Sequence, residues 1–172
     1  MCSLCDGTSY EQLLEDTGER IERIGFTMVG VEADLDHPPW TYTIGLVEGY
    51  DHPELAMLGI PIELAAEVIS ALATRVLDGD RIVPGVDLLF DGVPFHVDEV
   101  DQQLWAGERF NQWKAYYDWT GDPPATPSAI EVIPCGSWHD GFAAEAPPPN
   151  RAARRARHRG RGHGGHGGHG GS

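Results

Sequence analysis

Eight histidines and three cysteines carry most of the chemistry open to this chain. Two of the histidines bracket the stretch "HPPWTYTIGLVEGYDHPEL", as His37-Pro and His52-Pro. A following proline biases each histidine toward extended backbone and removes a hydrogen-bond donor beside it, which suits the ends of a strand. An imidazole titrating near neutral pH serves equally as base, metal ligand or hydrogen-bond partner. Two half-sites follow: His37 with Trp40 and Tyr42, and His52 with Glu54. If residues 40–47 and 55–60 pair as a hairpin, the two histidines stand at opposite ends of it and share no site. A third pairing is His96 with Asp98, two apart and therefore on one strand face, where a carboxylate would orient a general base. The plainer account of that pair is a solvated strand face. No G-x-S-x-G elbow accompanies any of these groups.

The cysteines suggest a metal. Cys2-x-x-Cys5 has knuckle spacing, and Cys135 with His139 supplies a second half, together a Cys₃His zinc shell. The same Cys2/Cys5 pair also fits a redox couple or a pair of structural thiols. Near the C-terminus, "HGGHGGHGG" sets His163, His166 and His169 three residues apart, and His158 could be a fourth ligand. Imidazoles on so flexible a chain bind Ni²⁺, Cu²⁺ or Zn²⁺, with copper favoured. Zn or Ni/Cu are thus the cofactors the sequence allows, against a plain solubilising extension. The aromatics from Trp105 to Trp119 could line a pocket for a planar ligand, but their spacing is also that of a core-facing helix. No phosphate-binding glycine pattern is present.

These groups need elements to position them. "TSYE" at residues 8–11 is a capping box, and Tyr10, Leu13, Leu14, Thr17, Ile21 and Ile24 form one helical face that Gly25 ends. Residues 26–34 and 40–47 read as strands, and "LAMLGI" at 55–60 as a buried central one. Pro61 starts a second helix with Leu64, Ala65, Val68, Leu72 and Val76 on its stripe, and Gly79 stops it. Residues 81–90 and 92–100 form a hairpin turning at Asp91-Gly92. Phe110, Trp113 and Tyr117 mark a third helix, and "SAIEVIP" a last strand. The expected fold is α+β, a mostly antiparallel sheet with two or three helices packed on it.

Charge divides the chain. Residues 151–172 hold six arginines and no acid, leaving 27 Asp and Glu against six Lys and Arg in the first 150 residues. An acidic body repels phosphate backbones, so nucleic acid is disfavoured as a partner except through the Arg-rich tail. The Arg-rich stretch also fits an acidic partner or the protein's own acidic body. A globular domain over residues 1–142 and a disordered Pro-, Arg- and Gly/His-rich tail over 143–172 are expected. No apolar run is long enough to span a membrane, and the acidic start lacks the form of a secretory signal. With an odd cysteine count, a reduced, cytoplasmic protein is expected.

"MCSLCD", a helix ending in "GF", then "HPPWTYTIGL", "HPEL" and "GIP" follow in an order that resembles domain-of-unknown-function family 4262, an actinobacterial family, over roughly residues 1–142. The resemblance implies an architecture and brings no assigned activity or catalytic residues. The sequence points to a cytoplasmic binding or regulatory module with a His-rich metal-binding tail, its partner an unidentified protein or small molecule. A small enzyme with a His-containing cleft, or a zinc-stabilised or metal-handling protein, are the alternatives. Whether His37, Tyr42, His52, Glu54 and His96 converge on one cleft discriminates them.

Overall fold

The computed structural model describes residues 9–100, 108–124 and 128–135. Its first helix, α1 (Tyr10–Ile24), is capped by Ser9, whose hydroxyl accepts the Gln12 amide at 3.1 Å. The N-cap thus sits one residue later than "TSYE" suggests. It is a one-way cap rather than a reciprocal box, because the Gln12 side chain donates to Asp16. Gly25 ends the helix at φ 88°, a left-handed C-terminal cap, as its position predicts.

Six strands follow: β1 (Thr27–Val31), β2 (Trp40–Ile44), β3 (Glu54–Leu58), β4 (Asp87–Phe90), β5 (Val93–Glu99) and β6 (Ala129–Pro134). They form one sheet in the order β1-β2-β3-β6-β5-β4. Every neighbouring pair is antiparallel except β3 and β6, which run parallel from Glu54↔Ala129. The sheet is therefore mixed but mostly antiparallel. The β4–β5 turn is at Asp91-Gly92 as expected, with φ of 48° and 78°, the two positive angles a type I′ turn demands.

Between strands lie α2 (Leu46–Tyr50) and α3 (Ile62–Leu77), and a 3₁₀ turn (Glu108–Phe110) leads into α4 (Asn111–Thr120). The helices α1, α3 and α4 are the expected ones. The short α2 is additional: the expected strand over 40–47 stops at Ile44, because Gly45 turns the chain at φ 115° and the next amides are claimed elsewhere. The strand expected over 26–34 likewise stops at Val31, since Asp34 Oδ1 accepts the Asp36 and His37 amides, each at 2.8 Å, and folds the loop into a turn.

Alternation along the strands gives the sheet two apolar faces. α3 lays Val68, Ile69, Leu72 and Val76 on the face carrying Leu55, Met57, Phe95, Val97, Ile130 and Val132. Each such fully buried side chain stabilises the fold by roughly 1.5–3 kcal/mol. α1 and α4 cover the other face over Val29, Trp40, Tyr42, Ile44 and Ala56, so that Phe110, Trp113 and Tyr117 are core, as their helical spacing allows. No helix among the described residues is long and apolar enough to cross a membrane.

Candidate functional site

Glu54 opens β3 with no exposed surface. Its Oε2 accepts the Thr43 hydroxyl at 2.6 Å and the Leu46 amide at 3.3 Å. Its Oε1 accepts the Gly45 amide at 2.9 Å, the Val47 amide at 3.4 Å and the Trp113 indole N–H at 3.4 Å. Thr43 Oγ1 also accepts the Leu55 amide at 2.9 Å, closing a loop of bonds between β2 and β3. Gly45 is what aims three successive amides at one carboxylate: at its φ of 115°, a Cβ would lie 3.1 Å from Ile21 and 3.2 Å from the Gly25 carbonyl. Burial raises the Glu54 carboxyl above the ordinary carboxylate range and outweighs the donors from Thr43, Gly45, Val47 and Leu46, which pull it down. Among the described residues no cation forms an ion pair with it. A carboxyl sealed from solvent by backbone donors organises the end of β2, the start of α2 and the seat of α4.

His52 is two residues away and equally enclosed, at 2% exposure. Its Nε2 accepts the Ile82 amide at 3.0 Å, which fixes the proton on Nδ1, and that N–H donates to the Pro53 carbonyl at 2.7 Å. Both ring nitrogens are thus spent. Burial is the main cause holding the imidazole below the usual histidine range. His52 pins the segment after α3 to the entry of β3, and its ring does not reach the carboxylate of Glu54.

His37 sits in the exposed β1–β2 turn, with Nδ1 at 3.2 and 3.3 Å from the two Asp34 oxygens. The Asp36 amide, with the His37 ring, holds the Asp34 carboxyl below the usual range. The His37 ring stands edge-on to Trp40 at 6.4 Å. Trp40 is itself occupied: its indole N–H donates to the Arg109 carbonyl at 2.8 Å, and the Arg109 guanidinium lies 5.3 Å from its ring centre. Tyr42 shares the face of Trp40 but is buried against Phe110, at 4.7 Å between ring centres, and burial raises its phenol. The half-site of His37, Trp40 and Tyr42 is therefore one exposed histidine at the edge of two core aromatics.

His96 is half-exposed on β5 and takes a different carboxylate from the one its sequence neighbourhood suggests. Its Nδ1 meets Asp87 of β4 at 2.8 Å, while Asp98 accepts the Glu99 amide. Cys135, half-buried just past β6, is a free thiol. Cys2, Cys5, His139, His158, His163, His166 and His169 lie outside the described residues, as do Trp105 and the 143–172 tail. Among the described residues no three His, Cys, Asp or Glu side chains could hold one metal ion.

Residues 20–126 match the family model of a domain of unknown function, DUF4262. The chain belongs to this family. The DUF4262 span begins within α1 and ends after α4, inside the 1–142 range that the short motifs suggest. It contains His37, Glu54, His52 and His96, together with the whole set of donors around Glu54, and leaves Cys135 outside. No curated protein and no solved structure matches the chain.

Three contributors escape a reading by local spacing. Thr43 and Gly45 look like the outer face of a strand, and Trp113 like a plain core residue. A glutamate opening an otherwise apolar strand was the visible sign that donors must converge there. Asp87 was legible in principle, because a two-residue turn at Asp91-Gly92 sets it directly opposite His96.

Proposed function

We propose that this DUF4262 protein is a cytoplasmic, non-catalytic binding or regulatory module. One observation carries the reading: the polar candidates are dispersed. His37 is exposed beside the start of β2, His52 is buried against Ile82, His96 stands on β5, and Glu54 and Tyr42 are enclosed beneath α4. The three histidines each have their own partners, while Glu54 and Tyr42 share only Trp113, inside the closed core.

The recognition surface we assign is the β1–β2 turn. Leu35 projects from it 73% exposed, while Asp34 holds the turn through the Asp36 and His37 amides and the His37 ring. A large apolar side chain on an ordered turn loses little entropy when it is captured. Glu32, Asp34 and Asp36 are exposed around it, so the complementary partner is a protein offering an apolar pocket rimmed by Lys or Arg. A photo-crosslinking residue placed at position 35 of the full chain, in the expressing cell, tests this against the same residue at position 19 on α1. A discrete adduct from position 35 alone, lost on Asp34→Ala, is the expected result. Equal adducts from both positions, or none from either, would refute it.

We further propose that the tail histidines His158, His163, His166 and His169 bind Ni²⁺ or Cu²⁺. Their spacing on a glycine-rich chain supports this.

A further inference from the structure

The half of the sheet made by β4, β5 and β6 carries a row of chemistry on the face opposite α3. Asp87 on β4 pairs in register with His96 on β5, and its carboxylate meets Nδ1 at 2.8 Å. On the other side of β5, His96 pairs with Ile133 and Phe95 with Pro134. The Cys135 amide donates to the Pro94 carbonyl at 2.8 Å, so the ladder runs one residue past β6 and sets Cys135 opposite Pro94. Side chains two apart share a face. Pro94, His96, Ile133 and Cys135 therefore stand together, away from Phe95, Val97 and Val132, which are buried under α3. His96 and Cys135 are diagonal neighbours there, a relation of about 7–8 Å between Cα atoms that a long side chain spans.

Orientation adds to proximity. With Nδ1 turned to Asp87 on β4, Nε2 is the ring nitrogen of His96 left for another partner. Asp87 keeps the proton on Nδ1 and leaves Nε2 as the acceptor. The His96 side chain is 44% exposed, so solutes reach it. No hydrogen bond joins His96 to the thiol at rest, so proton transfer between the two requires the half-exposed His96 and Cys135 side chains to approach each other.

We propose that Asp87, His96 and Cys135 form a thiol-exchange site, at which Cys135 takes up a low-molecular-weight thiol as a reversible mixed disulfide. His96 Nε2 accepts the proton of the Cys135 thiol, and the thiolate attacks one sulfur of a small disulfide RSSR. The S–S bond of RSSR breaks as the Cys135–SR bond forms, and the departing RS⁻ takes the proton back from His96 and leaves as RSH. Cys135 is oxidised and RSSR is reduced. Besides Asp87, the titratable groups that the strands place on this face among the described residues are Asp98 and Glu131, which stand opposite each other in register. This acidic floor selects a cationic disulfide over an anionic one.

The test uses the full chain with Cys2→Ser and Cys5→Ser, so that Cys135 alone reacts. Its exchange rate with cystamine, a dication, and with Ellman's reagent, a dianion, is measured at pH 7.5, each relative to free cysteine. Exchange with cystamine at least about tenfold slower in His96→Gln, and several-fold slower in Asp87→Asn, is expected. The cystamine preference should remain in both variants, since the acids of Asp98 and Glu131 are untouched. Both substitutions are at exposed side chains, and melting curves matching the parent show that the fold is kept. If either variant loses the fold, the other still reads the dyad. Unchanged rates in a folded variant, or a rate that rises when a chelator is added and so reveals a metal-held thiol, would overturn the proposal.

Discussion

The indole N–H of Trp113 reaches Oε1 of Glu54 at 3.4 Å, across 59 residues of sequence. Through that contact a helix near the end of the domain is fastened to the first residue of a central strand. Glu54→Gln places an amide donor among five donors and leaves at least one of them unpaired. A loss of about 2–3 kcal/mol is expected, read as a lower urea midpoint with an unchanged slope. Trp113→Phe keeps the ring against Tyr117 and should cost about 1 kcal/mol or less, the bond being long. The double variant should cost less than the sum of the two.

His52 gives the fold an acid sensitivity of predictable sign. Burial depresses its imidazole in the folded state, so below about pH 6.5 the unfolded chain takes up a proton that the folded chain refuses. Stability from this group is complete above that pH and falls as the pH drops toward the depressed folded value. Glu54 acts in the opposite sense: its raised carboxyl costs stability when ionised, and the cost fades as the pH falls through its folded value. His52→Gln should therefore flatten the loss of stability between pH 7 and 5, measured as urea midpoints at each pH. A slope as steep as that of the parent would assign the sensitivity elsewhere.

Gly45→Ala should destabilise by about 2 kcal/mol or more. The added methyl meets Ile21 and the Gly25 carbonyl, and the left-handed backbone angle penalises any side chain. Gly49, with open space around it, is the matched control and should tolerate alanine. Thermal melting of the two variants side by side decides this.

Truncation after Asn150 should abolish the heat of Ni²⁺ or Cu²⁺ titration and leave the melting temperature of the domain unchanged. Binding that survives truncation would assign the metal to residues outside the tail.

What could be read from the chain beforehand followed the range of each interaction. The Gly25 cap and the Asp91-Gly92 turn are local, and they appear where the residues suggested. So does the middle of the α1 stripe at Leu14 and Thr17, whereas its ends, Tyr10 and Ile24, are exposed. The end of β2 was not legible, because Leu46 and Val47 continue the apolar alternation and only the distant Glu54 carboxylate draws their amides out of the strand. His52 looked like a ligand until Ile82, 30 residues on, used its free nitrogen. His96 was matched to the carboxylate nearest in sequence, whereas strand pairing supplies Asp87 instead. Each of these last three differences is a long-range hydrogen bond overriding a short-range pattern.

The position of β6 bears on how the chain is made. It enters the sheet between β3 and β5, so until it emerges the nascent protein consists of a three-stranded ribbon and a separate hairpin, each with an open edge. Synthesis from the N-terminus delivers that strand after all the others, and cooperative closure waits for it. A ribosome paused before residue 129 would hold two adhesive half-sheets, and the interval before the last strand arrives is when this protein most needs protection from its neighbours.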